Sequence, residues 1–313
     1  MPDETKNPVI PVFMACDSEY IPFAMTAILS ALHHSKRNLI FHILHDGSVS
    51  HGEQNKCQAL IRNNSGNEIR FSVWKNHQNL TTGSKRFPPL VYVRLLLPEM
   101  FPQYDRGIFL DADILIDRDL GELFDTDMKE KLIGAVPQRE WTLNYNEGKW
   151  IYDTSEKEYS AAMKYFNTGI LLMDMAGLRR LKLSEIVIQH QNEKFRYPEQ
   201  DLMNRYLREL IFELDDCWNY IVPSLQLPQR KIFHYIDKPW RNSSVLPATR
   251  SYWKALQSTP WFYRGRAELL LYEIEASINS DWRYPGDGVA KAGLKLMGCF
   301  LSALYRRMKK RRT

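Results

Sequence analysis

Two aspartates one residue apart stand at the end of an apolar run. In GIFLDADILIDRD (residues 107–119), Asp111 and Asp113 flank the small residue Ala112. On an extended strand, residues i and i+2 project to the same side, so these two carboxylates can converge on one cation. Carboxylate oxygens suit hard ions such as Mn²⁺ or Mg²⁺, which carry phosphate oxygens in their remaining positions. The alternative is a solvated surface turn, but the apolar runs on both sides favour a metal site.

A second group of chemically capable residues lies far downstream. FHYIDKPW (residues 233–240) brings His234 and Lys238 close together. A neutral imidazole beside two carboxylates makes a good set of Mn²⁺ ligands, and a lysine ammonium can neutralise phosphate. Taken alone, the segment favours a core histidine and an exposed lysine. The metal interpretation comes from combining it with the two aspartates.

Strands and helices alternate along most of the chain and must position these residues. Short apolar runs rich in Val and Ile predict strands, and the segments with helical spacing between them predict helices. The predicted strands are 8–17, 39–47, 69–75, 105–114, 131–137 and 168–175, and the predicted helices are 21–35, 53–66, 88–102 and 197–210. Such alternation implies an α/β fold with a parallel sheet that binds ligands at the carboxyl ends of its strands.

Composition and cysteine usage narrow the class of protein. The 313 residues are 44% hydrophobic, which is enough to fill a core. The four cysteines form no Cys-x-x-Cys pair, so neither a disulfide framework nor a zinc cluster is indicated, and a reducing compartment is expected. No secretory leader and no run of about 18 apolar residues is present in the sequence, so the cytoplasm is the expected location.

Positive charge is concentrated in the last residues. The net charge is +5, and because eight basic and no acidic residues follow Asp287, residues 1–287 carry a net charge of −3. This acidic body, without a recognised binding module, argues against a nucleic-acid binder. In residues 291–313, apolar side chains recur at spacings of three and four, which predicts a basic amphipathic helix lying on an anionic membrane surface. The alternative is a helix docked on the core with a solvated basic end.

Seven blocks of sequence carry a family resemblance. They are ACDSEY (15–20), YVRLLLPEMFP (92–102), FLDADIL (109–115), YFNTGILLMDM (165–175), PEQDLMN (198–204), HYIDKPW (234–240) and YWKALQSTP (252–260). In this order they resemble glycosyltransferase family 8, the retaining sugar transferases that include bacterial lipopolysaccharide galactosyl- and glucosyltransferases and glycogenin. Seven ordered blocks are far more specific than the Asp-x-Asp pair alone.

The resemblance implies a GT-A type α/β fold. Residues 1–240 would form a nucleotide-sugar-binding catalytic domain with a mainly parallel, Rossmann-like sheet flanked by helices. Residues 241–313 would form a helical C-terminal extension that ends in the basic amphipathic helix. The region 241–287, dense in Trp and Tyr, fits such an extension.

The resemblance also implies roles for individual residues. Asp111, Asp113 and His234 correspond to the ligands of Mn²⁺, with Mg²⁺ as the alternative. Gln200 would lie near the reacting carbon of the donor sugar, and Lys238 would sit on the diphosphate. The implied binding site for the nucleotide and the donor sugar comprises Ala15, Asp17, Tyr20, Arg94, Asp111, Ala112, Asp113, Asn167, Glu199, Gln200, His234 and Lys238.

The chain departs from the family pattern in three places. Family members often read H-F-x-G-x-x-K-P-W, whereas this chain has two fewer residues and no glycine between His234 and Lys238. Its phosphate loop must therefore differ. Glu199 replaces the first aspartate of a common Asp-Gln-Asp, and Gln138 stands where many relatives carry aspartate. Because such side chains hydrogen-bond sugar hydroxyls, the donor sugar is the least transferable inference.

The implied activity is transfer of galactose or glucose, with retention, from a UDP-sugar to a glycan acceptor. Lipopolysaccharide or another surface glycan is the expected acceptor, and a lipid-linked one would be met at the inner face of the cytoplasmic membrane. Gln200 is an amide and a poor nucleophile, so same-face attack is favoured over double displacement. A metal phosphohydrolase is less consistent, since its further His and Asp clusters are not apparent. The alternative is a catalytically weak or silent nucleotide-sugar-binding protein of the same fold.

Overall fold

The structure is a computed structural model of the chain. It describes residues 8–84, 86–138, 149–150, 159–160, 164–193, 195–221, 232–236, 239 and 247–280. The chain divides into two compact units, Met1–Ile236 and Asp237–Thr313. The predicted amphipathic helix at 291–313 and Lys238 lie outside the described residues. The predicted catalytic domain ending at residue 240 and its separate extension stay predictions.

The strands of the first unit form a large mixed sheet and two small sheets. In chain order they are β1 (Ile10–Ala15), β2 (Leu39–His45), β3 (Glu68–Val73), β4 (Arg106–Leu110), β5 (Ile114–Ile116), β6 (Ile133–Pro137), β7 (Lys149–Trp150), β8 (Tyr159–Ser160), β9 (Phe166–Asp174), β10 (Ile211–Glu213), β11 (Tyr220–Ile221) and β12 (Ile232–His234). The large sheet has the order β10-β6-β9-β4-β1-β2-β3, and the small sheets have the orders β11-β12-β5 and β7-β8.

Helices connect these strands and cover the sheet. They are α1 (Ile21–His34), α2 (His51–Ile61), α3 (Val93–Met100), α4 (Leu120–Phe124), α5 (Met175–Arg180), α6 (Leu183–His190) and α7 (Pro198–Tyr206), with α8 (Pro247–Gln257) and α9 (Phe262–Ser280) in the second unit. None of the helices among the described residues is long and apolar enough to cross a membrane.

The sheet is mainly parallel, as predicted. β4, β1, β2 and β3 pair in parallel, and so do β10 and β6. β1 and β2 are almost fully buried along their length because helices cover both faces of the sheet, which explains their continuous apolar sequences. The exception is β9, which runs antiparallel between β4 and β6. The predicted α/β class with flanking helices is therefore confirmed.

Several element boundaries differ from the predicted ones for local reasons. The predicted strand 105–114 is two strands, since β4 ends at Leu110 and β5 begins at Ile114 in a different sheet. The predicted helix 88–102 begins as a 3-10 turn at Pro89–Tyr92, and α3 follows it. α2 begins earlier than predicted because Ser50 caps its N-terminus and forms a capping box with Glu53 in the first turn.

Candidate active site

The corner between β4 and β5 positions the two aspartates. The Asp111 N–H donates to the Gly169 carbonyl of β9 at 2.7 Å, and the Asp113 carbonyl accepts from the Tyr235 N–H at 3.0 Å. Between them, Ala112 is buried. The chain thus bends from the large sheet into a small one instead of continuing as the extended strand that the sequence predicted. The carboxylates converge because this corner is held on both sides.

His234 reaches the aspartates through strand pairing. β12 runs antiparallel to β5, with His234 opposite Ile114. The imidazole Nε2 lies 3.4 Å from Asp113 Oδ1 and 3.8 Å from Asp111 Oδ2. One ligand atom from each of the three residues lies within 4.8 Å of the other two. The residues that the resemblance implied as metal ligands therefore meet at one point.

Gly169 makes room for this arrangement. A Cβ placed on Gly169 would lie 2.3 Å from His234 Cε1 and 2.8 Å from Asp111 Oδ2, distances that real atoms do not adopt. The imidazole packs directly on the backbone of β9. Sequence analysis did not single out Gly169, although a glycine inside an apolar strand often marks a close approach of this kind.

Arg94 places a positive charge beside the carboxylates. From α3, its Nη2 lies 3.0 Å from Asp111 Oδ1, and its Nη1 donates to the Thr168 carbonyl at 2.9 Å and approaches Glu199 Oε1 at 3.7 Å. The guanidinium also lies over the Phe109 ring, 4.5 Å from its centroid. Arg94 is buried, so it belongs to the site and is not a cation on the helix surface.

Asp111, Glu199 and His234 form a charged cluster with Arg94 and Asp113, and the pKa values of these three residues are raised. Burial raises the pKa of Asp111, and Arg94 offsets this only in part. Burial also raises the pKa of Glu199, again against the effect of Arg94. For His234, burial by itself would lower the pKa, but Asp113 and Asp111 outweigh it and the net pKa is raised. One guanidinium does not compensate these carboxylates, so the cluster favours a further cation.

A cluster of carboxamides adjoins the charged residues. Gln200 Oε1 accepts from the Thr168 N–H at 3.1 Å, and Gln200 Nε2 lies 3.4 Å from Gln138 Oε1. Asn167 Nδ2 also points at Gln138 Oε1, at 3.4 Å. All of these side chains are buried. The structure therefore brings together Asn167, Gln200 and Gln138, three positions that the sequence connected with the donor sugar.

The start of α7 is fixed by a buried aspartate. Asp201 accepts hydrogen bonds from the Tyr165 hydroxyl and from the backbone N–H groups of Arg196 and Tyr197. Asn204 anchors the same helix to β9, because its amide bonds both backbone groups of Phe166. These bonds hold Glu199 and Gln200 beside Arg94 and Thr168. Sequence analysis assigned no role to Tyr165 or Asn204, since their partners are distant in the chain.

The loop after β1 lies at the same edge of the sheet. β1 pairs with β4 in parallel, with Phe13 opposite Phe109, so the register leads Ala15 towards Asp111. Asp17 Oδ1 accepts from the N–H groups of Glu19 and Tyr20 at 2.9 and 3.0 Å, which orders the entry into α1. Ala15, Asp17 and Tyr20 thus occupy the predicted edge, and their role in nucleoside binding stays a prediction. Lys238 lies outside the described residues.

Comparisons with known proteins agree with this architecture. A family model described as Glycosyl transferase family 8 matches residues 11–244. Glycosyltransferase GlyF of Streptococcus pneumoniae serotype 4 is 25% identical over 272 residues, which cover 80% of this chain and 62% of GlyF. Lipopolysaccharide 1,2-glucosyltransferase of Escherichia coli strain K12 is 23% identical over 266 residues, which cover 78% of this chain and 77% of that enzyme.

Solved structures share the fold. The galactosyltransferase LgtC in complex with donor and acceptor sugar analogues superposes with a TM-score of 0.63 at 20% identity, over 80% of this chain and 96% of that chain. The bifunctional glycosyltransferase WbbM in its apo form gives a TM-score of 0.69 at 19% identity, over 84% of this chain and 52% of that chain.

The match to the family model spans most of the first unit, including every described residue of the charged and carboxamide clusters. Against GlyF the chain spans less than two thirds of the relative's length. The family assignment rests on the model match, and the fold of the solved relatives agrees with it. The chain is therefore a member of glycosyl transferase family 8.

Proposed function

We propose that the chain is a metal-dependent, retaining hexosyltransferase that moves galactose or glucose from a UDP-sugar to a glycan acceptor. The observation that carries the proposal is the convergence of Asp111, Asp113 and His234 at one corner of the sheet. Two carboxylates and one imidazole form an oxygen-rich donor set that fits Mn²⁺, or Mg²⁺ as the alternative. When bound there, such an ion would supply Lewis-acid stabilisation of the charge that develops on a departing diphosphate.

The chain's own residues would hold this donor set in place. Arg94 orients Asp111 through a 3.0 Å ion pair, while the missing side chain of Gly169 leaves room for the His234 ring beside β9. Because backbone hydrogen bonds hold the corner on both sides, the carboxylates are held in position before any ligand arrives. Such preorganisation is where electrostatic catalysis gains most of its effect. Lys238 would add positive charge at the diphosphate.

The carboxamide cluster would bind the hydroxyl groups of the donor sugar. Gln138, Asn167 and Gln200 present amide groups that can both donate and accept, which suits the hydroxyls of a hexose. Glu199 Oε2 is buried without a hydrogen-bond partner among the described residues, so it is available to a sugar hydroxyl. Ala15, Asp17, Tyr20 and Ala112 would line the nucleoside and diphosphate part of the pocket.

Retention would follow from attack on the face that the nucleotide leaves. Gln200, the residue proposed nearest to the reacting carbon, is an amide and a poor nucleophile. An acceptor hydroxyl would form the new bond to the anomeric carbon as the bond to the phosphate oxygen breaks. Its proton would pass to that departing oxygen, which leaves with the electron pair. Gln200 would orient the acceptor or stabilise the positive charge on the sugar ring.

The acceptor is proposed to be lipopolysaccharide or another surface glycan, in part because a lipopolysaccharide glucosyltransferase is among the relatives. A lipid-linked acceptor would be met at the inner face of the cytoplasmic membrane, and the basic segment 291–313 would hold the enzyme there. Deleting residues 291–313 should release the protein from anionic vesicles while leaving UDP-sugar hydrolysis intact. Unchanged binding to the vesicles would contradict this part of the proposal.

The function is tested by incubating the chain with a panel of UDP-sugars and Mn²⁺ and measuring released UDP. We expect hydrolysis of UDP-galactose or UDP-glucose that stops when a chelator is added. Asp113→Asn, which removes one carboxylate from the metal set, serves as the matched negative control. Full activity in the presence of chelator would contradict the metal role. Binding of UDP without turnover of any sugar would instead favour a silent nucleotide-sugar-binding protein.

A further inference from the structure

A line of hydrogen bonds leads from the backbone of β9 to the site imidazole. The Gly169 N–H donates to Asn167 Oδ1 at 2.8 Å, and Asn219 Nδ2 donates to the same oxygen at 2.7 Å. At its other end, Asn219 Oδ1 lies 2.9 Å from His234 Nδ1. All three side chains are buried. Asn219 lies outside the family-derived set of site residues, yet its side chain contacts the imidazole at Nδ1, on the side away from the aspartates.

The chemistry of these groups fixes the direction of every bond. A backbone N–H can only donate, so the Asn167 atom that faces Gly169 must be its oxygen. That oxygen then requires a donor from Asn219, which turns the Asn219 NH₂ towards Asn167 and its oxygen towards the imidazole. A carbonyl oxygen can only accept, so His234 Nδ1 must carry a proton. A flipped Asn219 would instead place two amide oxygens against each other.

We infer that Asn219 is a positioning residue that fixes His234 as the Nδ1–H tautomer and leaves Nε2 as the nitrogen that binds a cation. Nε2 is the atom that faces Asp113 and Asp111, at 3.4 and 3.8 Å. Metal-bound histidines commonly donate their other ring N–H to such a partner, which sets both tautomer and ring orientation. The consequence for the cation rests on the proposed function, whereas the tautomer itself follows from the hydrogen bonds.

We call the hydrogen bonds from Asn167 through Asn219 to His234 the relay. Two substitutions at position 219 distinguish an effect of this relay from an effect of packing. Asn219→Leu keeps a similar shape but offers no acceptor to Nδ1, whereas Asn219→Asp keeps an acceptor oxygen there and loses only the donor to Asn167. We expect ¹⁵N–¹H spectra of the metal-free protein, recorded where the imidazole is neutral, to show the proton on Nδ1 in the parent and in Asn219→Asp. In Asn219→Leu the proton should move wholly or partly to Nε2.

Binding of Mn²⁺ alone, followed by the electron paramagnetic resonance of the free ion, gives the second readout. Asn219→Leu should lower the affinity about 10–100-fold, the usual effect of losing such a partner, while Asn219→Asp should retain it. Asn76→Leu is the control, because the Asn76 amide likewise bonds both backbone groups of one residue, Leu80, in the loop after β3 instead of His234. It should lower the melting temperature without changing the His234 tautomer or the Mn²⁺ affinity.

Neither readout needs a sugar donor, so the two proposals can fail separately. An Nε2–H tautomer in the parent, or unchanged tautomer and affinity in Asn219→Leu, would overturn the role of Asn219 and leave UDP-sugar transfer standing. The expected tautomers together with a parent that binds Mn²⁺ but turns over no UDP-sugar would support the relay and contradict the transferase. If Asn219→Leu does not fold, Asn167→Leu tests the same relay, because it frees the Asn219 amide to flip. Asn167→Asp is its partner variant, since it keeps the oxygen that accepts from Asn219.

Discussion

Two buried histidines of the same unit have opposite electrostatic surroundings. His42 and His234 are each 4% exposed. His42 stacks on Phe13 at 5.1 Å between ring centroids, and its Nε2 lies 3.0 Å from the Tyr104 hydroxyl. Burial, with a smaller effect of Arg70, lowers the pKa of His42 to about 4. The pKa of His234 is raised instead, since two carboxylates outweigh the same kind of burial.

The comparison shows that neighbouring charges decide what a buried histidine does. An imidazole among aromatic rings stays neutral and contributes packing, whereas one beside carboxylates shares a site with a proton or a cation. His42 is such a packing histidine in the core of the sheet. Taken alone, the segment around His234 also favours a core histidine. In the structure, Asp111 and Asp113 lie beside His234 and make it part of a charged cluster instead.

The largest expected effect comes from removing a carboxylate beside His234. Asp113→Asn should lower Mn²⁺-dependent turnover of UDP-sugar by about 100-fold or more, because a bound metal contributes several kcal/mol to such a transition state and each ~1.4 kcal/mol is tenfold in rate. Stability without metal should change little, since relief of the repulsion with Asp111 is offset by loss of the attraction between Asp113 and His234. Initial rates and thermal melts measure the two effects.

Asp117→Asn is the control for this variant. Asp117 directly follows β5 but is half-exposed and pairs with His34 instead of His234. Both its activity and its melting temperature should match those of the parent. Equal loss of turnover in Asp113→Asn and Asp117→Asn would show that the carboxylate beside His234 has no specific role in activity. The electrostatic contrast between His234 and His42 would then have no bearing on catalysis.

A smaller effect on turnover is expected from a change in the carboxamide cluster. Gln200→Ala should slow transfer by about 10–100-fold, the equivalent of losing a hydrogen bond to a charged species, while binding of UDP and Mn²⁺ persists. Steady-state kinetics beside calorimetric titration of UDP distinguish the two. Complete loss of UDP binding would argue against a role confined to the sugar.

The His42 region is tested by pH. The folded pKa of about 4 lies below the ordinary value of 6.5, so the unfolded chain binds more protons between these values. The contribution of His42 to stability is therefore complete above about pH 6.5 and is lost as the pH falls towards 4. In His42→Phe, which keeps an aromatic ring on Phe13, that contribution is missing and denaturant unfolding should be less sensitive to pH in this window.

The charged neighbours of His42 remain in both proteins, so their titration cancels in the difference. These neighbours are Arg70 and Glu68, which pair with each other on β3. If the parent and His42→Phe lost stability in parallel as the pH falls, a neutral His42 in the folded state would be contradicted, and the contrast with His234 would disappear.

The smallest effect concerns the backbone directly after His234. Ile236 has φ +60, in the left-handed region that β-branched residues avoid, and this segment lacks the glycine of the family pattern. Ile236→Gly should raise the free energy of unfolding by about 0.5–1 kcal/mol, because relief of ~1–2 kcal/mol of strain exceeds the added chain entropy. Lys182, at φ +49 but unbranched at Cβ, is the control: Lys182→Gly should gain less. A loss of stability in Ile236→Gly would contradict this account of the shortened segment.

The order of strands and helices follows from the sequence because it depends on local patterns. Continuous apolar runs are what a sheet covered on both faces requires, so β1, β2 and β9 were predictable within a few residues. The two aspartates were visible because their spacing is short. The family resemblance then connected them with His234, which spacing alone could not do.

Boundaries set by capping and strand exchange were less predictable. The corner after Leu110 depends on β5 pairing with β12, a contact between segments far apart in the chain. Periodicity shows which face of a strand is apolar, but it carries no information on which sheet the strand enters. The prediction of one extended strand through Asp113 was therefore wrong, although the expected convergence of the carboxylates was right.

The sequence by itself determined the fold class, the residue types of the candidate metal site and the family of this chain. The tertiary structure alone decided that Arg94 is buried against Asp111, that Gly169 must lack a side chain and that Asn219 contacts His234. The physical reason is that hydrogen-bond partners and close packing depend on how distant strands are registered. The local order of residue types does not contain that register.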